Sequence, residues 1–181
     1  GGCGLAFACG RWGDGRHQDE LAVLVAFDLV DEVEADLGLG PAVGDEGFGG
    51  HADFGRDVCD RLAREGFYNN VPFHRVIGGF MAQTGDGQRG DGTGGSKYPN
   101  LKAEFSNANH GRGACSMARS QNPNSANSQF FICFDDAGFL NRQYTVWGQV
   151  VEGMEFVDKI KRGEPVKDPD SIVSAKVAAD A

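Results

Sequence analysis

The chain has 181 residues, 40% hydrophobic and 24% charged, with a formal net charge of −9, an ordinary balance for one globular domain with a packed core. No apolar stretch reaches the roughly eighteen residues of a membrane span, and the longest, Leu21 to Val30, is interrupted by Asp28. The acidity is confined to residues 1–60, with 13 acidic against 3 basic side chains, whereas residues 61–181 hold 13 against 14 and no basic run, which argues against a nucleic-acid surface.

Taken in chain order, the first residues (GGCGLAFACGRWG) carry a short apolar patch with no basic flank before it, so they do not read as a secretory signal. Asp19–Gly38 places Val23, Phe27, Val30, Val33 and Leu37 at three- and four-residue steps, the spacing of an amphipathic helix. Gly38–Gly55 is rich in glycine and poor in β-branched residues. Phe54–Glu65 reads as a helix stopped by Gly66. Beyond it, short strand-like segments alternate with Gly-, Asn- and Pro-rich turns: strands at Val71–Val76, Phe80–Thr84, Ala114–Ala118, Gln129–Phe134 and Thr145–Val151, and a glycine-rich loop over Asp86–Pro99. A helix over Gly153–Arg162, capped by Gly163, follows. Many short strands with two helices point to a mainly β fold, an antiparallel barrel with helical end caps.

Five cysteines, at positions 3, 9, 59, 115 and 133, form no CxxC pair, and no histidine stands at a metal-ligand spacing. Reduced thiols in a cytoplasmic protein are therefore expected, with neither a disulfide framework nor a metal. Gly85-Asp86-Gly87-Gln88-Arg89-Gly90 satisfies the G-x-G-x-x-G expression, but it runs into DGTGGSKYP. No helix can open there to receive a pyrophosphate, so the segment is a surface loop. A His110–Cys115 thiol–imidazole couple is disfavoured because Cys115 sits in an apolar strand, and His74, next to Arg75, faces the opposite side of its strand.

The constellation with chemical content is Arg75, Phe80, Met81, Gln83, Gln129 and Phe131, followed after a short loop by Phe139 and Leu140. Arg75 lies in a run of aromatic, β-branched and sulfur-bearing residues, which suggests one fixed cation at the floor of an apolar pocket. Alternation puts Met81 and Gln83 on one face, and likewise Gln129 and Phe131. A protein does not desolvate an arginine and two amides for packing alone.

Read together, FHRVIGGFMAQTGD, DGTGGSKYPN, CSMARS, NSANSQFFICF and FLNRQYTVWGQVVEGMEFVDKIKRG closely resemble the cyclophilins, especially bacterial forms, over residues 62–179. The resemblance implies an eight-stranded antiparallel barrel closed by two helices, with the site on its outside and no cofactor or metal. It implies peptidyl-prolyl cis–trans isomerase activity at Arg75, with Gln83 and Phe80 beside it at the catalytic positions. Phe80, Met81, Phe131 and Leu140 resemble the proline-pocket walls, Gln83 and Gln129 the amides that bind substrate backbone. Gly92, Ala118, Arg119 and Ser120 resemble the groove for residues preceding proline. Phe139 stands where many members have tryptophan and Tyr144 where they have histidine, which implies that cyclosporin binds weakly. The implied partners are proline-containing peptides and unfolded clients of a monomeric protein. The alternative is a module of the same fold that binds proline segments with little turnover.

Residues 1–60 do not resemble the two strands that open the family's barrel. Two explanations compete, a genuine lineage-specific extension or a reading frame misassigned upstream of Leu62, and the abrupt composition change, the lack of an initiating Met and the absence of Lys before Lys97 favour the second. The expectation is a misframed or disordered acidic segment ahead of a cyclophilin-like domain over 61–181, with the opening strand pair missing or replaced.

Overall fold

The computed structural model describes residues 4–10, 21–26, 53–177 and 180, and side-chain surroundings from Gly55 onward. Among the described residues nine antiparallel strands are ordered β3-β9-β1-β2-β8-β6-β7-β5-β4. They are β1 (Gly4–Gly10), β2 (Leu21–Ala26), β3 (Val71–Pro72), β4 (Arg75–Ile77), β5 (Met81–Thr84), β6 (Ala114–Met117), β7 (Phe130–Cys133), β8 (Val146–Glu152) and β9 (Ser171–Val177), joined by helices α1 (Asp53–Arg64) and α2 (Met154–Val157). The expected count of eight becomes nine because the segment 71–77 changes partner midway: β3 pairs with β9, and β4 pairs with β5. These two strands are the ends of the sheet order, so the hydrogen-bonded ladder is not closed into a barrel. The covalent chain through Phe73 and His74 joins its ends instead.

Three expectations need correction. The opening strand pair is present: β1 pairs with β2 from Gly4 opposite Ala26 to Cys9 opposite Leu21, and the pair lies between β9 and β8. Leu21–Ala26, expected within a helix, is thus a strand with a ladder on each side, and a short apolar run such as LAVLVA fits either structure until its partners are known. The rest of that expected helix, and most of Gly38–Gly55, lie outside the described residues. The helix expected over Gly153–Arg162 stops at Val157. Beyond it Lys159 N and Ile160 N donate to Phe156 O and Val157 O, a tightening to i→i−3 bonds, and Arg162 donates to Ile160 O and Asp158 O. Gly163 caps no helix; it exchanges two 2.8 Å backbone bonds with Val76.

The core lies on one face of the strands. Val76, Ala82, Cys115, Met117, Phe130 and Ile132 alternate inward and pack on Cys59 and Leu62 of α1, Tyr68, Trp147 and Ile172. Tyr68, Phe130 and Trp147 form successive edge-to-face contacts with centroids 5.6 and 5.3 Å apart, a preferred aromatic geometry. The helix α1 ends where Gly66 takes a φ of +70°, as the sequence predicts.

The glycine-rich loop is organised by one carboxylate. Asp86, 1% exposed, accepts from the backbone N–H of Gln88 and Arg89 through Oδ1 and from Gly92 and Gly94 through Oδ2, at 2.9–3.2 Å. Burial alone would raise its pKa, but the N–H donors of Arg89, Gly94, Gly92 and Gly90 hold it below the ordinary carboxylate value. A carboxylate with a depressed pKa in the folded state stabilises the protein above its unfolded value, and that contribution is lost as pH falls through the folded one. Asp86→Asn places an amide N–H₂ against N–H donors and should cost about 1–3 kcal/mol at neutral pH. In urea titrations the difference between the two proteins should shrink below about pH 4; a gap that persists unchanged at pH 2 would contradict the loop's dependence on the ionised form.

Candidate active site

The register of four strands assembles the site on the face opposite the core. Arg75 on β4 pairs with Gln83 on β5, Gln83 with Phe131 on β7, and Phe131 with Ser116 on β6. Directly paired residues share a face, so this row brings a cation, an amide and an aromatic ring side by side. One step along, Ile77 pairs with Met81 and Met81 with Cys133. The two rows and the loop after β7 build a second apolar cluster, separate from the core: Met81, Ala114, Phe131, Cys133, Ala137 and Leu140 are buried, with Ile77, Phe80, Ala118 and Tyr144 partly so.

The expected pocket walls Phe80, Met81, Phe131 and Leu140 therefore come together. Phe139, 66% exposed, stands at the rim with its ring 5.3 Å from that of Phe80. Tyr144 meets Phe131 edge-on at 5.9 Å. Arg75 is not at the floor. Its side chain is 38% exposed and its Nε donates to Glu164 Oε1 at 2.5 Å, because a guanidinium at an apolar floor would lose its hydration without a full set of acceptors.

Hydrogen bonding separates the polar residues into supports and available groups. Gln129 Nε2 donates to Gly92 O at 2.9 Å and Gly94 O at 2.8 Å, while its Oε1 accepts from Gln83 Nε2 at 3.0 Å. Two carbonyl partners fix which end of that amide is nitrogen, and the side chain is a brace between β7 and the glycine-rich loop. Gln83 keeps its Oε1, and Arg75 its two Nη groups, without a protein partner among the described residues. Gly92 belongs to this bracing: its φ is +89°, and a Cβ there would lie 2.9 Å from the His74 ring. Arg119 lies 4.3 Å above the Tyr144 ring and donates to Ser120 O and Gln143 O at 2.8 and 2.7 Å, joining two loops at the rim. Ser120 is apart from the apolar cluster; its hydroxyl bonds to Ser125 in an exposed turn.

Sequence reading missed the layer behind the pocket. His110 is fully buried, stacks on Phe131 with centroids 6.2 Å apart, and bonds through Nδ1 to Asn141 Oδ1 and through Nε2 to Ser116 Oγ, each at 3.0 Å. Burial lowers its pKa. It is thus a scaffold for the aromatic wall and no partner of Cys115, whose thiol burial pushes well above its ordinary pKa. Cys133, in the cluster itself, is pushed up to about 12, mainly by burial, so neither thiol is a nucleophile at neutral pH. His74 is buried, away from Arg75's face, as alternation predicts. Ile77 and Cys133 were reachable by continuing the alternation from Arg75 and Phe131; nothing in the sequence marks His110, Asn141 or Glu164. Among the described residues no cluster of His, Cys, Asp or Glu is arranged to hold a metal ion.

Comparison with known proteins agrees with this geometry. The family model described as "Cyclophilin type peptidyl-prolyl cis-trans isomerase/CLD" matches residues 60–177. A probable peptidyl-prolyl cis-trans isomerase of Brucella abortus is 59% identical over 135 residues, 66% of this chain and 69% of that protein. Peptidyl-prolyl cis-trans isomerase B of Escherichia coli is 48% identical over 114 residues, 58% of this chain and 66% of that protein. Among solved structures, the cyclophilin AquaCyp293 of Hirschia baltica superposes with a TM-score of 0.73 at 24% identity, covering 98% of this chain and 74% of that one. A Cryptosporidium parvum cyclophilin type isomerase, solved in the presence of the dipeptide Ala-Pro, gives 0.71 at 23% identity over 96% of this chain and 98% of its own. At these identities the superpositions bear on the fold alone, but the family match spans the strands that carry the arginine, the amides and the aromatic wall, and the chain belongs to the cyclophilin-type peptidyl-prolyl cis-trans isomerases.

Proposed function

We propose that the chain accelerates rotation about X–Pro peptide bonds in folding or flexible polypeptides, with Arg75 as the residue that acts on the twisting amide. The observation that carries this reading is the row Arg75–Gln83–Phe131, which sets a guanidinium beside a buried apolar cluster, with both Nη groups unbonded among the described residues.

Uncatalysed rotation must cross about 18–20 kcal/mol because the planar amide loses its resonance. No bond to a nucleophile lowers that barrier. At the halfway twist the prolyl nitrogen becomes pyramidal and gains a lone pair, and a donor aimed at it binds the twisted form more strongly than the planar one. Arg75 supplies that donor. Met81, Phe131 and Leu140 hold the proline ring, with Phe80 and Phe139 at the rim, while the peptide on its N-terminal side rotates. Gln83 Oε1 accepts from a substrate N–H, and Ala118 with Tyr144 borders the path of the residues before proline.

The substrate is then any accessible proline-containing segment, unfolded clients included, with no cofactor. Among the residues whose side chains are described, Cys59, Cys115 and Cys133 are buried free thiols, which supports a reducing, cytoplasmic setting. The few large apolar side chains exposed among the described residues, Phe105, Phe139 and Val151, support a monomer.

Arg75→Ala should lower kcat/KM on a short Ala-Pro peptide by about 10²-fold, the typical loss of one preorganised donor, with an unchanged melting curve because the side chain is half-exposed. Near-normal turnover in that variant would remove Arg75 from the mechanism, and saturable binding without faster exchange in the parent protein would make it a binding module. Phe139→Trp adds one indole N–H at the rim and should tighten cyclosporin binding by about 1 kcal/mol while leaving peptide isomerisation nearly unaltered. Calorimetry giving equal affinities for the two proteins would contradict the role of that position.

A further inference from the structure

The catalytic arginine has a neighbour on each side of its strand. On one side is Gln83, its ladder partner. On the other, Val76 and Gly163 form an antiparallel bridge, with Val76 N donating to Gly163 O and Gly163 N to Val76 O, both at 2.8 Å. In an antiparallel pair one step back on one strand is one step forward on the other, so this bridge sets Glu164 directly across from Arg75, on the same face. The side chains meet there: Arg75 Nε donates to Glu164 Oε1 at 2.5 Å. Among the described residues this is the one hydrogen bond of the guanidinium.

We propose that Glu164 is a positioning residue for the isomerase reaction, which holds the plane of the Arg75 guanidinium so that its Nη edge faces the substrate amide. The inference rests on Arg75 acting as proposed above. An arginine that is 38% exposed and unanchored would move among many rotamers, and a donor gives its full effect only when its direction is set before the transition state forms. Nε is the nitrogen whose N–H direction defines the guanidinium plane, and a bond there leaves both Nη groups for substrate. Glu164 is itself 56% exposed, so solvent screening keeps the charge attraction small. The hydrogen bond, and the orientation it imposes, is the larger part of the effect, and this sets the test: Gln at 164 keeps an acceptor and loses the charge, whereas Ala loses both.

The experiment measures kcat and KM for an Ala-Pro peptide in the parent protein, Glu164→Ala, Glu164→Gln, Arg75→Ala and the double variant Arg75→Ala with Glu164→Ala, with melting curves for each. Glu164→Ala should lower kcat about ten-fold with KM within about two-fold, and Glu164→Gln should restore kcat to within about three-fold of the parent. In the Arg75→Ala background, removing Glu164 should cost nothing further, because the two residues act as one unit. If Arg75→Ala is inactive while Glu164→Ala is fully active, or if the two losses add, Glu164 does not act through Arg75 and the inference fails alone. A loss in Glu164→Ala that tracks a lowered melting temperature, or that Glu164→Gln does not relieve, overturns it equally. If Arg75→Ala keeps its activity, the catalytic reading fails first and this inference falls with it.

Discussion

The site depends on the register of β4, β5, β7 and β6. Each of these strands has one face in the core and the other in the apolar cluster, and a slip of one residue in any of them would exchange the two sets. Phe130 packs on Tyr68 and Trp147 inside while Phe131 forms the pocket wall outside. Neither arrangement can shift without the other. The junction before β7 removes the remaining slack: a Cβ on Gly85 would stand 2.4 Å from Ser128 O, and Ser128 Oγ donates to Gly85 O at 2.8 Å while Tyr68 donates to Ser128 O at 3.0 Å. The core tyrosine thus holds the residue that precedes Gln129, and the packing energy of the interior is what fixes the position of the outer amide.

How much of this was legible in the sequence follows from how local each determinant is. The alternation that puts Met81 with Gln83, and Gln129 with Phe131, is a period-2 signal within single segments, and it can be read without knowing that β5 and β7 pair Gln83 with Phe131. β9 was missed because its alternation is interrupted: opposite β1 the register shifts between Ser174 and Ile172, so Val173 stands out of step, as a bulged residue does. Leu21–Ala26 was misread for another reason. Its helical spacing is genuine on paper, but the backbone partners that decide the matter, β1 and β8, are brought to it by the fold. Glu164 and His110 carry no local signal at all, since their roles come from residues 89 and 6 positions away and from strands that pair only in three dimensions.

Two of the side chains expected to bind substrate, Gln129 and Arg119, are themselves held by the protein. Gln129, Arg119, Asp86 and His110 all sit at or near the pocket, and each directs most of its hydrogen-bonding capacity back into the protein. Half-satisfied polar groups near an apolar surface would be costly. Satisfying them internally makes the pocket rigid and leaves fewer groups facing outward among the described residues, Arg75 Nη and Gln83 Oε1 among them.

That reduction explains why the arginine can stand at the rim. A guanidinium buried at the pocket floor would carry a desolvation cost in the resting protein with only Glu164 to offset it. At the edge it is open to water, and in the mechanism proposed above it stays so until a proline ring covers the apolar cluster. The field of a charge strengthens as its surroundings become less polar, so the donor gains its effect when the substrate amide is in place. The same covering leaves the planar ground state without a strong partner, because a delocalised amide nitrogen accepts poorly. On that proposal the preference for the twisted form comes from the chemistry of the substrate nitrogen, and the part left to the protein is to hold one donor still at the border of a dry surface.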